Sequence, residues 1–145
     1  MKRLTVFFFL MLAAVSLAAN QLESPAIQLP PNGPASLKIS IKLPDTHKVS
    51  PDAPFSVAPT VQGAVFSQAP MAFKGKGKDL PYILRFATAG PGEGKLSLKI
   101  AVFICQKAEG GVCQLINQDI SVPMTIKEGA RADWEIPIPV TPPKI

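Results

Sequence analysis

Between Leu37 and Leu43 the chain alternates strictly, with apolar side chains at odd positions and Lys38, Ser40 and Lys42 at even ones. Successive side chains on a β-strand point to opposite faces, so this run predicts a half-buried strand. The same period of two returns in Leu96-Ser97-Leu98-Lys99-Ile100-Ala101-Val102-Phe103-Ile104, with its apolar face on the even positions, and again in Ile120-Ser121-Val122-Pro123-Met124-Thr125-Ile126. Pro123 has no N–H to give a neighbour, which puts that strand, or that side of it, at an edge. Residues 55–58, 61–66 and 82–87 are shorter strand candidates, and Trp134-Glu135-Ile136-Pro137-Ile138-Pro139 reads as an edge-like, partly polyproline segment. Turn signals separate these runs: Pro44-Asp45, Ser50-Pro51-Asp52-Ala53-Pro54 and Gly90-Pro91-Gly92-Glu93-Gly94. No stretch of ten or more residues beyond residue 18 carries a helical period. Seven or eight short strands with one-face alternation predict an all-β fold, an immunoglobulin-like antiparallel β-sandwich.

The amino terminus has a different character. Lys2-Arg3 precede an apolar stretch over residues 4–15, and Ser16-Leu17-Ala18 supplies small residues at the −3 and −1 positions of a cleavage site. This predicts a signal peptide, residues 1–18, removed after Ala18. The stretch is shorter than the roughly 20 residues that span a bilayer, so no stable membrane insertion is expected after cleavage. The rest divides into a proline-rich extended segment at 19–35, a β-sandwich domain at 36–136 and a proline-rich tail at 137–145. The expected location is periplasmic or secreted, an oxidising setting in which neighbouring cysteines pair.

Charge narrows the partners. The formal net charge is +5, but the leader holds two of the fifteen basic residues and none of the ten acidic ones, leaving thirteen against ten, or +3. The excess is spread along the chain apart from Lys74-Gly75-Lys76-Gly77-Lys78. A nucleic-acid surface needs clustered basic residues with stacking aromatics, and this chain has one Trp and one Tyr. Nucleic acid is therefore not an expected partner, and the lysine–glycine run reads as a flexible, solvated loop.

The only residues with distinctive chemistry are Cys105 and Cys113, which close the loop Gln106-Lys107-Ala108-Glu109-Gly110-Gly111-Val112. Glycines 110 and 111 supply the backbone freedom to reverse the chain, and residues flanking a hairpin loop come within disulfide reach. If the even positions of the preceding strand face the core, Cys105 points outward beside Phe103. Closing so short a loop stabilises by only about 2–3 kcal/mol, the contribution of a local clasp. No Cys-x-x-Cys motif is present, and along the sequence Lys107 is the close cation, with Glu109 opposing it. A structural clasp and a redox-active pair both remain open. Two cysteines without histidine partners are too few for a metal site, and no cofactor is expected. His47 reads as a surface histidine in a polar turn, Asp45 and Asp52 as local backbone caps, and Trp134 as packing at the sandwich edge. No serine–histidine–acid arrangement supports hydrolysis.

The stretch Phe103-Ile104-Cys105-Gln106 through Gly111-Val112-Cys113, with the strand ending Val122-Pro123-Met124-Thr125-Ile126, resembles the immunoglobulin-like amino-terminal domain of the DsbD family of thiol:disulfide interchange proteins. It is also similar to related β-domains of thioredoxin-like and NHL-repeat proteins. Upstream, residues 43–54 look like the segment that opens those domains. The resemblance covers about residues 36–127. It implies that Cys105 and Cys113 take electrons from a partner and reduce other exported proteins by thiol–disulfide exchange. That partner would be another exported or membrane-bound protein, of the thiol–disulfide oxidoreductase type. The sequence departs from the family in having Gln114-Leu115-Ile116 after the second cysteine, where Pro-Pro is common, and Phe103 where Tyr is usual. The alternative function is a non-catalytic binding or assembly domain with a structural hairpin disulfide.

Overall fold

The computed structural model describes residues 21–142, so the expected signal peptide at 1–18 lies outside the described residues. Eleven strands form: β1 (Gln21–Glu23), β2 (Ile27–Leu29), β3 (Pro34–Lys42), β4 (His47–Val49), β5 (Pro54–Gln62), β6 (Phe66–Gln68), β7 (Phe73–Lys76), β8 (Tyr82–Thr88), β9 (Gly92–Gln106), β10 (Cys113–Ile126) and β11 (Asp133–Pro139). A single 3₁₀ turn, Gly77–Asp79, is the only helical element among the described residues. One sheet has the order β1-β10-β9-β5-β7, with β2 also on β10 and β4 also on β9; the other has the order β11-β3-β8-β6. The fold is an all-β sandwich.

The apolar alternation sets the packing. Leu37 and Ile39 of β3, Leu84 and Phe86 of β8, and Ile136 and Ile138 of β11 line the inner face of the smaller sheet. They meet Phe55 and Val57 of β5, the even positions of β9 from Leu96 to Ile104, and Ile120, Val122, Met124 and Ile126 of β10. The long β9–β10 hairpin keeps one unbroken register from Cys113 opposite Cys105 to Ile126 opposite Gly92.

Most pairings are antiparallel, as the turn signals predict. Three are parallel: β1 with β10, β2 with β10, and β11 with β3. All three come from the ends of the chain, where the sequence reading set the domain bounds too narrowly. Residues 19–35 are not merely an extended approach, because Ile27 and Leu29 are buried in the core. Nor does the domain end at residue 136, since Ile138 and Val140 are buried as well. Segments as short as β1 and β2, three residues each, carry no repeated alternation of their own, so their pattern is invisible locally.

Prolines inside these strands follow one rule. The N–H and C=O of a strand residue face the same side, and alternate residues face opposite neighbours. Ser24 N–H donates to the Ser121 carbonyl, so the odd residues of β10 face β1 and β2. Pro123 is therefore turned to that side, and it falls in the gap between the residues paired with β1 and those paired with β2. β10 is not a free edge, but the proline sits where its flank is uncovered. Pro59 in β5 likewise faces the β7 side beyond the last paired residue, Val57. In β11 the Ala132 carbonyl accepts from Ser36 N–H, and Val140 N–H donates to the Lys42 carbonyl. Even residues thus bond β3, and Pro137 and Pro139 face outward.

Two further expectations change. The strand candidate at 55–58 runs on through residues 61 and 62 as one strand, β5, which ends before Gly63 at a φ of +94°, in the left-handed region; Phe66, the last residue of the 61–66 candidate, opens β6 in the other sheet. The lysine–glycine run is not a solvated loop. Residues 73–76 form β7, in register with β5 from Val57 opposite Phe73 to Pro54 opposite Lys76. The Phe73 ring stacks on Tyr82 with centroids 4.1 Å apart, and Gly77 is buried against Ser50. The three lysine side chains stay exposed while their backbone is docked.

Candidate functional site

Cys105 and Cys113 form a disulfide at the tip of the β9–β10 hairpin. Gln106 N–H donates to the Val112 carbonyl, so the even residues of β9 bond β10 and the two cysteines oppose each other as a non-hydrogen-bonded pair. Such pairs bring the backbones closest, and here the Cα atoms are 4.0 Å apart. The turn is closed by Gly111 N–H donating to the Ala108 carbonyl and by Gly110 at a φ of +72°. A Cβ at Gly111 would strike the Gln106 carbonyl, so glycine is required there by close approach.

The two sulfurs have unequal surroundings. β9 is flanked by β10 on one side and β4 on the other, so Cys105 occupies the middle of the row Lys48–Cys105–Cys113. The parity of β9 holds through Ile104, and Cys105 points away from the core as the alternation predicts. It is nevertheless only 7% exposed, because its neighbours on both strands cover it. Cys113, at the outer side of that row, is exposed. Beside it lie Val112, 51% exposed, and Leu115, 49% exposed and paired with half-buried Phe103 on the same outer face. The exposed half of the disulfide thus lies beside apolar side chains that a partner can cover.

Pairing of β4 with β9 brings in residues that sequence spacing did not connect to the cysteines. Lys48 stands opposite Cys105 and His47 opposite Gln106, while Val49 stands opposite Ile104 and packs toward the core. His47 is a half-buried strand residue whose Nδ1 lies 2.8 Å from Thr46 Oγ1, and the Thr46 carbonyl accepts from Lys107 N–H. The signal for this neighbourhood is weak in the sequence, since β4 has only three residues and no alternation to read.

A second concave feature lies on the open flank of the sandwich. Leu22, Ile27, Ile120, Trp134, Ile136 and Pro137 line an apolar groove of about 400 Å³ between β1–β2 and β11. Trp134 spans it: the indole Nε1–H is shared between the Gln28 carbonyl at 2.8 Å and the Arg131 carbonyl at 2.9 Å, and the Arg131 guanidinium lies 4.2 Å from the ring centre. Trp134 therefore packs at the sandwich edge and ties the smaller sheet to the larger one. Asp45 and Asp52 lie exposed in the turns flanking β4.

Among the described residues, no group of three His, Cys, Asp or Glu side chains is placed to hold a metal ion, and no helix is long and apolar enough to cross a membrane. No family model matches the chain, and no curated protein matches it.

Proposed function

We propose that the chain is an exported thiol–disulfide exchange module that passes electrons through Cys105 and Cys113. The carrying observation is the asymmetry of the pair, with Cys113 exposed between apolar Val112 and Leu115 and Cys105 covered between two strands. A purely structural clasp needs no accessible sulfur, whereas exchange begins with a partner thiolate reaching one. The resemblance to the amino-terminal domain of the DsbD family, carried by residues 103–113, supports the same reading, as does the export signal in residues 1–18. In this reading a partner thiolate attacks Cys113 and releases Cys105 as a thiolate, and the partner's second thiol resolves the mixed disulfide; the reduced pair then passes the electrons on, Cys113 attacking a target disulfide and Cys105 resolving that adduct.

The alternative, a non-catalytic binding domain, draws on the apolar groove at Trp134. Thiol trapping in the native compartment separates the two. A mixture of reduced and oxidised chains, with a reduction potential well above about −300 mV, supports exchange; a wholly oxidised population below that value leaves the binding domain.

A further inference from the structure

We propose that Lys48 is the charge partner of Cys105, stabilising the sulfur that leaves as a thiolate when the disulfide is opened. The proposal rests on the exchange reading and adds a residue that neither the cysteine spacing nor the family resemblance singles out.

Strand register brings the two residues together. β4 lies on the opposite side of β9 from β10, and Lys48 is the residue directly across from Cys105. The Thr46 carbonyl accepts from Lys107 N–H and Ser50 N–H donates to the Phe103 carbonyl, so even residues of β4 bond β9. Lys48 and Cys105 are thus a hydrogen-bonded pair with side chains on one face, their Cβ atoms about 5 Å apart. That face is the outer one, because the next pair, Val49 and Ile104, turns inward. Lys48 is exposed and free to extend its ammonium group across the covered sulfur.

Other charges around Cys105 are placed less directly. His47 stands one row further out, opposite Gln106, and Lys107 and Glu109 belong to the turn and oppose each other. On β10 the first charged residue after Cys113 is Asp119, which pairs with Lys99 six rows away on the same face. Across β4 from β9, Asp79 accepts from Lys76 N–H within its own turn. Among the described residues, Lys48 is the one charged residue in strand register with Cys105 itself.

A thiolate of a dithiol partner attacks Cys113 Sγ; the bond between Cys113 and Cys105 breaks, and its electron pair leaves on Cys105 Sγ as a thiolate. The second thiol of the partner, deprotonated, attacks the mixed disulfide and releases Cys113 as a thiolate. Two electrons pass from the partner dithiol to the pair, and the two thiolates take up protons from solvent. The first step is faster the better its leaving thiolate is stabilised, and a cation a few ångströms away does so.

The test measures the reduction rate of the full chain by dithiothreitol, a dithiol probe, for wild type, Lys48→Met, Lys48→Arg and Lys99→Met. Lys48→Met should slow the reaction by roughly three- to tenfold at low ionic strength, with the difference shrinking in 1 M salt. Lys48→Arg should restore the rate, and Lys99→Met should leave it unchanged. In the reduced Cys113→Ser protein, thiolate absorbance of Cys105 should rise at higher pH when Lys48 is Met, a readout that a packing role would not move. If wild type equilibrates with glutathione while Lys48→Met reacts and titrates as wild type does, the role of Lys48 is overturned and exchange stands. If wild type stays oxidised in reducing glutathione buffer, the exchange reading itself falls.

Discussion

The buried hydroxyl of Thr88 donates to the Pro30 carbonyl at 2.6 Å, joining the end of β8 to the turn between β2 and β3. Thr88 N–H also donates to the Gly33 carbonyl, and Asn32 N–H to the Ala89 carbonyl. This junction holds the segment carrying Ile27 and Leu29 against the core. Thr88→Val keeps the shape and removes the donor to Pro30, and it should cost about 1–3 kcal/mol in urea unfolding. A change below about 0.5 kcal/mol, typical of surface positions, would show that the junction contributes little.

Gly77 tests the docking of the lysine-bearing segment. Its Cβ would strike the Ser50 carbonyl and approach the Val49 side chain, whereas a Cβ at Gly90 meets nothing within 4 Å. Gly77→Ala should therefore destabilise by about 1–3 kcal/mol, the cost of an overpacked site, and Gly90→Ala should fall within about 0.5 kcal/mol of wild type. Replacing Lys74, Lys76 and Lys78 together by serine should also stay within about 0.5 kcal/mol, because only their backbone is engaged. Equal losses from Gly77→Ala and Gly90→Ala would contradict the docked arrangement.

Removal of the disulfide should leave a folded domain. A clasp closing eight residues of sequence separation contributes about 2–3 kcal/mol, and the two apolar sheet faces remain intact without it. The Cys105→Ser, Cys113→Ser double variant should keep a β-type circular dichroism spectrum and a cooperative transition at lower denaturant. A spectrum of an unfolded chain would show that the hairpin depends on its bridge.

The single variants should differ from each other. Cys105→Ser leaves the exposed Cys113 without its resolving partner, so an exchange partner accumulates as a mixed disulfide. Cys113→Ser leaves Cys105 covered between β4 and β10 and should trap far less. Non-reducing gels of envelope extract, with the double variant as blank, make the comparison. Equal adducts from both would remove the asymmetry on which the proposed direction of attack depends.

Legibility in the sequence followed the length of the alternating runs. The inward face of β9, from Leu96 to Ile104, and that of β3, with Leu37 and Ile39 fully buried, were readable because five or more residues repeated a period of two. The outward direction of Cys105 came from the same parity. What stayed hidden was everything made by three or four residues against a distant edge: β1, β2, β4 and β7. For that reason Lys48 and His47 were not connected to the cysteines, and the lysine–glycine run read as solvent-exposed. Glycine there reflected crowding by Ser50 and Phe73 rather than freedom.

The outward-facing prolines of β11 bear on how the molecule behaves in a crowd of its own copies. A bare sheet edge is a template on which another chain can add a strand. At Pro137 and Pro139 two successive donors of that edge are missing, so an incoming strand would find acceptors but few N–H groups to match its own carbonyls. At the far end of the smaller sheet, β6 is only three residues long, and β7 at the far end of the larger sheet is only four. Among the described residues these edges are thus short or poor in donors, features that work against strand addition by another copy even with the flank open at Trp134.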